Sequence, residues 1–411
     1  MPRLRLGISE PRSYYSLILC GLPRTRTSEA SSIVTSGLAP RDYIMVGEHT
    51  ISLYIPSHLT REKYLYSVLL YPFWGVQKRT TVVFSQSTFD QHGFDSRCYA
   101  LTDRGEKADY VFLPYNYWFL QEHDPHLIER YVEEARKLNK PLLIDAVSDK
   151  MKDIHIPHSV VLRYAQYRSR LKENDVVIPV YAEDLLASHC KGQLVIREKK
   201  EKPRVGFVGW SSLPFFTYPK TRLKDLPLAV LGLFTTRFDL HRKGVLLRKK
   251  ALMALASSPN IDANFIYRKS FSGNRKTAEK DPAILRDEFV QNIIDSDYTL
   301  CIRGDANQST RFFEALSLGR IPIFVDTDMA LPLPDLINYR DFCVFVDYRE
   351  LHNIVRIVSA FHQSISPEKF KDMQRRAREV YETYLRIDAY TPFLMDILKT
   401  RAALMHTDNT Q

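Results

Sequence analysis

The stretch YTLCIRGDANQSTRFFEALSLGRIPIFVDTD, residues 298–328, holds the residue types and spacings that best fit ligand chemistry. Its first apolar run, TLCI, predicts a buried strand that ends at Arg303 and Gly304. Gly304 permits a sharp turn and a close approach of the backbone to a ligand. Residues 305–308 are mostly polar and predict a loop. A strand that opens into such a loop is a typical place for a ligand at the edge of a sheet.

The loop leads into a predicted helix whose N-terminus suits an anion. This helix begins near Thr310, with Asn307 or Ser309 as its N-cap, and it ends at Gly319. Pro322 then opens the next strand. Free N–H groups and the helix dipole at the first turn favour a negatively charged group such as a diphosphate.

Charged side chains flank the start of this helix. Arg303 and Arg311 are placed to add charge-assisted hydrogen bonds to an anion. Glu314 follows one turn later, where a carboxylate can accept hydrogen bonds from the two hydroxyls of a ribose. Alternatively, Arg311 and Glu314 pair with each other, since they are spaced i, i+3. Strand–loop–helix units of this kind also occur without any ligand.

The same residues carry a family resemblance. The segment resembles the signature of the exostosin family of glycosyltransferases, in which a strand ends in Arg-Gly and a short loop leads to Ser-Thr-Arg. An aromatic-rich Glu-Ala helix and a Gly-x-Ile-Pro strand follow in that family. The matching positions in this chain are 303–305, 309–311, 313–315 and 319–323.

Flanking blocks such as DYVFLPYNYWF and PRVGFVGW also resemble the family, so the likeness extends over residues 50–360. The sequence departs from the family at Arg320, where a cysteine is usual. It also departs in the glycine-rich run of the donor domain, which here has only Gly206 and Gly209. The anchor of the lumenal family members is not visible either. These departures leave the identity of the sugar donor and the cellular compartment open.

The resemblance implies a GT-B architecture, which is an α/β fold of two Rossmann-like domains that face each other across a cleft. In such a fold the C-terminal domain holds a nucleotide sugar, and the final helix crosses back to the first domain. Members of the family are usually inverting, use UDP-sugars and need no bound metal. The donor-binding residues that the resemblance implies are Gly209, Arg248, Arg303, Gly304, Asp305, Ser309, Thr310, Arg311 and Glu314.

Two features near this site have alternative interpretations. Arg248 lies in a predicted helix from which it can reach the phosphates, but a solvated face shared with Lys249 and Lys250 fits equally. The motif DTD, formed around Asp326 and Asp328, has the form of a metal-binding motif, but a polar strand exit also fits.

Inverting transfer is a single displacement at the anomeric carbon, in which a general base takes the proton of the acceptor hydroxyl. The arginines and the helix N-terminus are assigned to the departing diphosphate. The base is expected in the first domain, where Asp145 and Asp149 follow the predicted strand LLID. His155 and His158 follow closely and are alternatives.

Apolar runs alternate with helical patterns along the chain, which is typical of sheets with parallel strands. The basic run KGQLVIREKKEKPR ends in a Pro-Arg pair and predicts a linker between two domains. We expect a leader at 1–45, an acceptor-side domain at 46–195, a nucleotide-sugar domain at 196–385 and a C-terminal helix or tail at 386–411.

The composition is that of a globular protein with an excess of basic residues. The chain has 411 residues, which favours two domains, and 45% of them are hydrophobic. A net charge of +10 suits a nucleotide sugar, an acidic glycan or a membrane surface, although it also fits a merely solvated basic surface. No RNA- or DNA-binding module is legible, so no nucleic-acid partner is expected.

The five cysteines are widely spaced and form no CxxC pair, so neither zinc nor a disulfide framework is expected. No stretch is long and apolar enough to predict a spanning helix. We therefore expect a cytoplasmic protein or one peripheral to a membrane. The Arg- and Ser-rich first 45 residues fit a targeting peptide, an ill-ordered leader, or a true start at Met45.

Three functions remain open at this point. The first is transfer from a UDP-sugar to a glycan or another hydroxyl acceptor, with a membrane or a second transferase as a further contact. The second is a fucosyltransferase-like GT-B enzyme that uses a GDP-sugar. The third is a catalytically inactive, exostosin-like subunit that binds glycans.

Overall fold

The computed structural model describes residues 50–77, 88–211, 226–227, 230, 244–268 and 280–408, with side chains to residue 405. The predicted leader at 1–45 and the last three residues of the predicted tail lie outside the described residues. The described chain forms two parallel sheets with helices on their faces.

The first sheet has six parallel strands in the order β2-β1-β3-β4-β5-β6. The strands β3, β4 and β5 are buried over their whole length, as their apolar runs predict for a parallel sheet covered on both faces. The bounds are β1 Ile51–Tyr54, β2 Tyr99–Thr102, β3 Tyr110–Leu113, β4 Leu142–Asp145, β5 Ser159–Arg163 and β6 Asp175–Val177.

Helices cover this sheet because parallel strands need crossover connections. Their bounds are α1 Tyr71–Trp74, α2 Tyr117–His123, α3 Pro125–Lys137 and α4 Leu185–His189. The side chain of Asn116 caps α2 by accepting N–H groups of its first turn. Proline at the first position starts α3, where its missing N–H costs no hydrogen bond, and the helix buries one apolar face, as its sequence period predicts.

The second sheet has five parallel strands in the order β11-β10-β9-β7-β8. The strand bounds are β7 Arg204–Trp210, β8 Asp262–Arg268, β9 Tyr298–Cys301, β10 Ile321–Asp326 and β11 Val344–Asp347. The helices are α5 Gly244–Ala256, α6 Pro282–Ile294, α7 Thr310–Ser317, α8 Ile354–Ser364 and α9 Pro367–Val380.

The strand order of the second sheet reverses between β7 and β9. From β7 the chain moves outward to β8, and it then returns across β7 to form β9, β10 and β11 on the other side. In open α/β sheets, ligands bind in the crevice outside the carboxyl ends of the two strands at such a reversal. Trp210 ends β7, and Arg303 and Gly304 follow β9, so the predicted site lies at this crevice.

The last helix returns to the first sheet. A π-helical turn, Tyr381–Leu385, follows α9, and Arg386 has an extended backbone with φ −69° and ψ 140°. The chain then forms α10, Ile387–Asp408, on which the carbonyl of Leu398 accepts a hydrogen bond of 2.7 Å from the Tyr110 hydroxyl of β3. Two α/β halves and a returning final helix confirm the predicted GT-B fold.

The two halves also meet along the segment after β5. The backbone of Tyr167 pairs with Met329, and the Arg168 N–H donates to the Asp328 carbonyl at 2.7 Å. The Arg168 guanidinium lies 3.2 Å from a carboxylate oxygen of Asp326 and 3.6 Å from one of Asp328. The DTD motif is therefore engaged in a contact between the halves.

Three general expectations concern metals, cysteines and membranes. Within the described residues, no group of three or more His, Cys, Asp or Glu side chains is placed to hold a metal ion. Cys301 and Cys343 are free and buried, as their apolar surroundings predict. Across the same residues, no helix has the length and apolarity to cross a membrane.

Arg320, at the position where the family resemblance predicts a cysteine, is almost fully buried. Its guanidinium donates to the backbone carbonyls of Val195, Leu318 and Ile294, each at 3.1 Å. Burial and, to a smaller extent, the positive charge of nearby Arg197 lower its pKa to about 10. This side chain ties the linker to the ends of α6 and α7.

We expect Arg320→Met to lower the free energy of unfolding by about 3 kcal/mol, because it leaves three buried carbonyls without a donor. Urea unfolding followed by circular dichroism measures the change. The matched control is Arg375→Met, which removes only an exposed pair with Asp372 and is expected to cost less than about 1 kcal/mol. Equal midpoints for the two variants would show that Arg320 is dispensable for stability.

Candidate active site

The site is built on the turn that follows β9. The Gly304 N–H donates to the Gln308 carbonyl at 3.3 Å, so the polar loop between them closes on itself. The helix α7 begins at Thr310, as predicted, and its end is marked by Gly319 in the left-handed conformation with φ 61°. This strand–loop–helix arrangement was predicted from the sequence, because every part of it is local.

The N-terminus of α7 has no side-chain cap. Ser309 takes the N-cap position, but its hydroxyl makes no capping hydrogen bond. The predicted alternative cap, Asn307, is buried elsewhere: its amide donates to the Thr327 carbonyl at 3.1 Å and to the Gln166 carbonyl at 3.4 Å. The cap prediction is therefore wrong for Asn307, because tertiary contacts take its side chain. Among the described residues, no side chain accepts a hydrogen bond from the first-turn N–H groups of α7.

Arg248, on α5, joins the two strand ends at the crevice. Its Nη1 donates to the Trp210 carbonyl at 3.1 Å, and its Nη2 donates to the Arg303 carbonyl at 2.9 Å. A Cβ atom on Gly304 would lie 3.5 Å from the same Nη2. Of the two interpretations of the helix face, the structure places Arg248 at the crevice, whereas Lys250 is exposed.

The start of α5 is in close contact with the same turn. A Cβ atom at Gly244 would lie 2.3 Å from the Gly304 carbonyl oxygen and 2.5 Å from the Arg303 carbonyl oxygen. Only glycine allows the two backbones to approach this closely. The contact fixes the turn relative to α5 and therefore relative to Arg248.

Arg311 lies beneath the end of β7. Its guanidinium is 4.2 Å from the centre of the Phe207 ring and donates to the Val208 carbonyl. A Cβ atom at Gly209, whose φ is 156°, would come within 2.8 Å of Arg311 Nη2. Gly209 thus makes room for the arginine, which gives it a structural reason to be glycine.

Arg303 is buried and points toward the first half of the molecule. Its Nη1 donates to the Tyr167 hydroxyl at 2.9 Å, and its Nη2 donates to the Asp305 carbonyl at 3.3 Å. Its guanidinium also lies 5.7 Å from the centre of the Tyr167 ring. The side chain predicted to meet an anion is therefore held by a tyrosine in this structure.

Positive charge accumulates at the turn. The pKa of Arg248 is lowered to about 10, chiefly by burial and also by the positive charges of Arg311 and Arg303, while Asp305 opposes the shift. Burial also lowers the pKa of Arg311. Cations that disfavour one another in a partly dry crevice are stabilised by an anion placed between them.

Glu314 does not pair with Arg311, which was one interpretation of their spacing. Its Oε1 instead accepts a hydrogen bond of 2.6 Å from Arg286 Nη1, and Arg286 Nη2 donates to Glu183 Oε2 at 2.6 Å. Burial lowers the pKa of Arg286, but the two carboxylates outweigh it, so the pKa is raised overall. The carboxylate predicted to hold a ribose is thus already held on one side.

The two aspartates proposed as bases occupy different positions. Asp145 is buried at the end of β4, where its Oδ1 accepts the Val147 N–H at 3.0 Å and stabilises the turn. Asp149 stays accessible to solvent and faces the polar loop of the second half. Its pKa is raised by partial burial, while a hydrogen bond from Gln308 opposes the shift and the charge of Asp305 adds to it.

The loop that carries Asp149 also touches the polar loop directly, since the Asn307 N–H donates to Met151 Sδ at 3.1 Å. A raised pKa and a position beside the predicted anion site are what a general base of this reaction requires. The structure therefore brings Asp149, and not Asp145, next to the proposed donor site.

The second half of the chain is similar to a known protein domain. Residues 248–361 match the model of the Exostosin GT47 domain. This segment is therefore similar to a domain of the exostosin family of glycosyltransferases. This match confirms the family predicted from the signature around Arg303 and Glu314.

Two curated proteins with glycosyltransferase or exostosin names are similar to part of this chain. A probable glycosyltransferase of Arabidopsis thaliana is 32% identical over 85 residues, which are 21% of this chain and 16% of that protein. The Exostosin-1 homolog of Caenorhabditis elegans is 29% identical over 99 residues, which are 24% of this chain and 25% of that protein. The chain therefore matches a quarter or less of the length of these relatives.

Among solved structures, the crystal structure of Acinetobacter baumannii MurG is similar at 13% identity. The match covers 72% of this chain and 74% of that one, with a TM-score of 0.28.

The exostosin domain contains most of the predicted donor site. Eight of the nine predicted donor residues, those from Arg248 to Glu314, lie inside the matched segment. Gly209 precedes the segment, and so do Asp145 and Asp149. Sequence reasoning missed Arg286 and Tyr167. Tyr167 lies in the block VLRYAQYRSR, which resembles the family, whereas Arg286 is followed by two acidic residues and has the pattern of an exposed helix face.

Proposed function

We propose that this protein transfers a sugar from a nucleotide sugar, with UDP as the expected nucleotide, to a hydroxyl of a glycan or related acceptor. One observation carries the proposal: Arg248 and Arg303 converge on the Gly304 turn beside the start of α7, and Arg311 lies close to them under the end of β7. This convergence lies at the strand reversal of the sheet, inside or adjoining the exostosin domain.

The donor diphosphate fits this turn because N–H groups and cations meet there. In transfer, the leaving diphosphate gains negative charge, and prearranged cations and N–H donors stabilise it. Arg248 is held by two strand-end carbonyls and needs no movement to present its charge. Arg303 would exchange its bond to Tyr167 for the diphosphate.

We propose that Asp149 is the general base that takes the proton of the acceptor hydroxyl, and that the configuration at the anomeric carbon is inverted. The aspartate belongs to the first half, while the diphosphate site belongs to the second, so an acceptor between them meets both groups. The arginines supply the charge that a metal supplies in other transferases, and we propose that turnover needs no metal. Equal turnover with and without excess chelator is the expected result.

A panel of UDP- and GDP-sugars tests the function. The protein is incubated with each donor, alone and with a mixture of hydroxyl acceptors, and the free nucleotide is measured. Release of UDP from one or more UDP-sugars supports the proposal, whereas release of GDP alone would assign the GDP-sugar alternative. Absence of any nucleotide release, with no donor binding by calorimetry, would overturn the enzymatic assignment.

A second candidate function is that of a non-catalytic subunit that binds glycans. It is favoured by one observation, which is that Tyr167 holds Arg303 and Arg286 holds Glu314 in this structure. Binding of a glycan in the absence of any nucleotide-sugar binding would support it. A contact with a membrane or with another transferase stays a prediction.

We expect Glu314→Gln to weaken binding of UDP by about tenfold, because a neutral amide accepts weaker hydrogen bonds from the ribose than a carboxylate does. Isothermal calorimetry with UDP measures the change. The control is Glu350→Gln, which alters an exposed side chain and leaves affinity the same. Unchanged UDP affinity in Glu314→Gln would remove the ribose role.

A further inference from the structure

A buried chain of charges connects the first half of the molecule to the donor site. Glu183, Arg286 and Glu314 are each less than a tenth exposed. Arg286 joins the two carboxylates with one guanidinium nitrogen on each, both at 2.6 Å. These three residues come from the segment after β6, from α6 and from α7. None of them is explained by the core packing alone, because a buried ion pair costs desolvation energy.

The geometry leaves one oxygen of Glu314 available. Arg286 Nη1 engages Oε1, and no hydrogen bond to Oε2 forms within the part of the chain that the structure describes. A guanidinium with both Nη groups on one carboxylate would have occupied both oxygens. Here the two Nη groups of Arg286 bind two different carboxylates, so Glu314 Oε2 can accept hydrogen bonds from a ligand.

The position of Glu183 is fixed by its neighbours, which allows it to keep Nη2 of Arg286 bound. The next residue, Asp184, is buried and accepts hydrogen bonds of 2.6 and 3.0 Å from Arg378 on α9. The helix α4 begins directly afterwards and packs Leu185 and Leu186 against apolar side chains of α6 and against Leu318, which follows α7. On its other side, Glu183 Oε1 lies 3.8 Å from His189 Nε2. The position of Glu183 is therefore set by the junction between the halves.

We propose that Arg286 is a positioning residue that orients Glu314 for the ribose hydroxyls of the donor, and that Glu183 keeps one arm of Arg286 away from Glu314. This inference rests on the proposed nucleotide-sugar site. It predicts that both Arg286 and Glu183, although neither touches the donor, control how well the protein distinguishes ribose from deoxyribose.

Two substitutions change the contacts of the Arg286 guanidinium in opposite ways. Arg286→Lys keeps one positive charge but loses the two-armed geometry, so the orientation of Glu314 is no longer fixed. Glu183→Gln keeps Arg286 but weakens its hold on one arm, so both arms turn to Glu314 and cover Oε2. Each variant is expected to lose ribose preference for a different reason, and a purely stabilising role predicts no such loss.

The experiment measures binding of UDP and of 2′-deoxy-UDP by calorimetry in the full chain. The wild-type protein is expected to prefer UDP by about tenfold, since two hydroxyl bonds to a carboxylate become one. The preference is expected to fall to less than about threefold in both variants. Arg375→Lys, which alters an exposed arginine, is the matched control and keeps the wild-type preference. Thermal unfolding confirms that each variant is folded, and Glu183→Gln decides the test if Arg286→Lys does not fold.

The outcomes separate this inference from the proposed function. If the wild-type protein binds UDP with a ribose preference and both folded variants keep that preference, the positioning role is wrong while the nucleotide site stands. If the wild-type protein binds both nucleotides equally, Glu314 does not hold the ribose and the inference fails with it. If neither nucleotide binds the wild-type protein, the proposed function itself is overturned.

Discussion

Asp149→Asn is expected to lower turnover by about 100-fold or more with the best nucleotide sugar of the panel, while the affinity for UDP stays the same. Asparagine keeps the shape of the side chain but cannot take the acceptor proton. Steady-state kinetics and calorimetry measure the two quantities. The control is Asp103→Asn, which changes an exposed residue after β2 and leaves turnover at the wild-type level. Wild-type turnover in Asp149→Asn would show that the base lies elsewhere.

The same residue predicts the pH dependence. Asp149 must be deprotonated to act as a base, so activity falls as the pH drops through its pKa. Because partial burial raises this pKa, the acid limb of the rate profile lies at a higher pH than for an ordinary aspartate. The hydrogen bond from Gln308 lowers the pKa, so Gln308→Ala is expected to move the acid limb to still higher pH. If the acid limb of the pH–rate profile does not move in Gln308→Ala, the profile does not report the titration of Asp149.

Arg248→Met is expected to lower kcat/KM by about 100-fold or more, because it removes a fixed cation from the proposed site of the leaving diphosphate. It also removes the donor that holds the carbonyls of Trp210 and Arg303 together across the crevice. Arg248→Lys, which keeps the charge but bonds only one carbonyl, is expected to recover part of the loss.

Lys250→Met is the matched control for Arg248, since it removes a positive charge from the same helix at an exposed position. It is expected to leave kcat/KM unchanged. Thermal unfolding of all three variants separates a loss of fold from a loss of catalysis. Equal kcat/KM in folded Arg248→Met and wild-type protein would place the diphosphate away from this helix.

The parts of the fold that are local could be predicted from the sequence. The stretch from β9 to β10 was identified because an apolar strand, a glycine turn, an amphipathic helix and a Gly-x-Ile-Pro strand follow each other without a break. The break between α9 and α10 coincides with the predicted start of the C-terminal helix at 386, although the assigned domain boundaries themselves stay predictions.

The partners of the site could not be predicted, because they come from distant parts of the chain. Arg286 joins Glu314, which is 28 residues away in sequence, to Glu183, which is 103 residues away. No local sequence pattern indicates such a contact. The same holds for Arg303 and Tyr167, which are 136 residues apart. Residue types therefore indicated an anion site, but only the packing showed which charges are already engaged.

The return of α10 to the first sheet has a consequence for how the protein is made. One continuous apolar core contains Tyr110 and Phe112 of an early strand together with Tyr390, Leu394 and Leu398 near the far end of the chain. During translation, the early strands leave the ribosome long before the helix that covers them has been synthesised. The apolar surface of the first sheet that α10 covers is therefore exposed until the end of the chain has been synthesised.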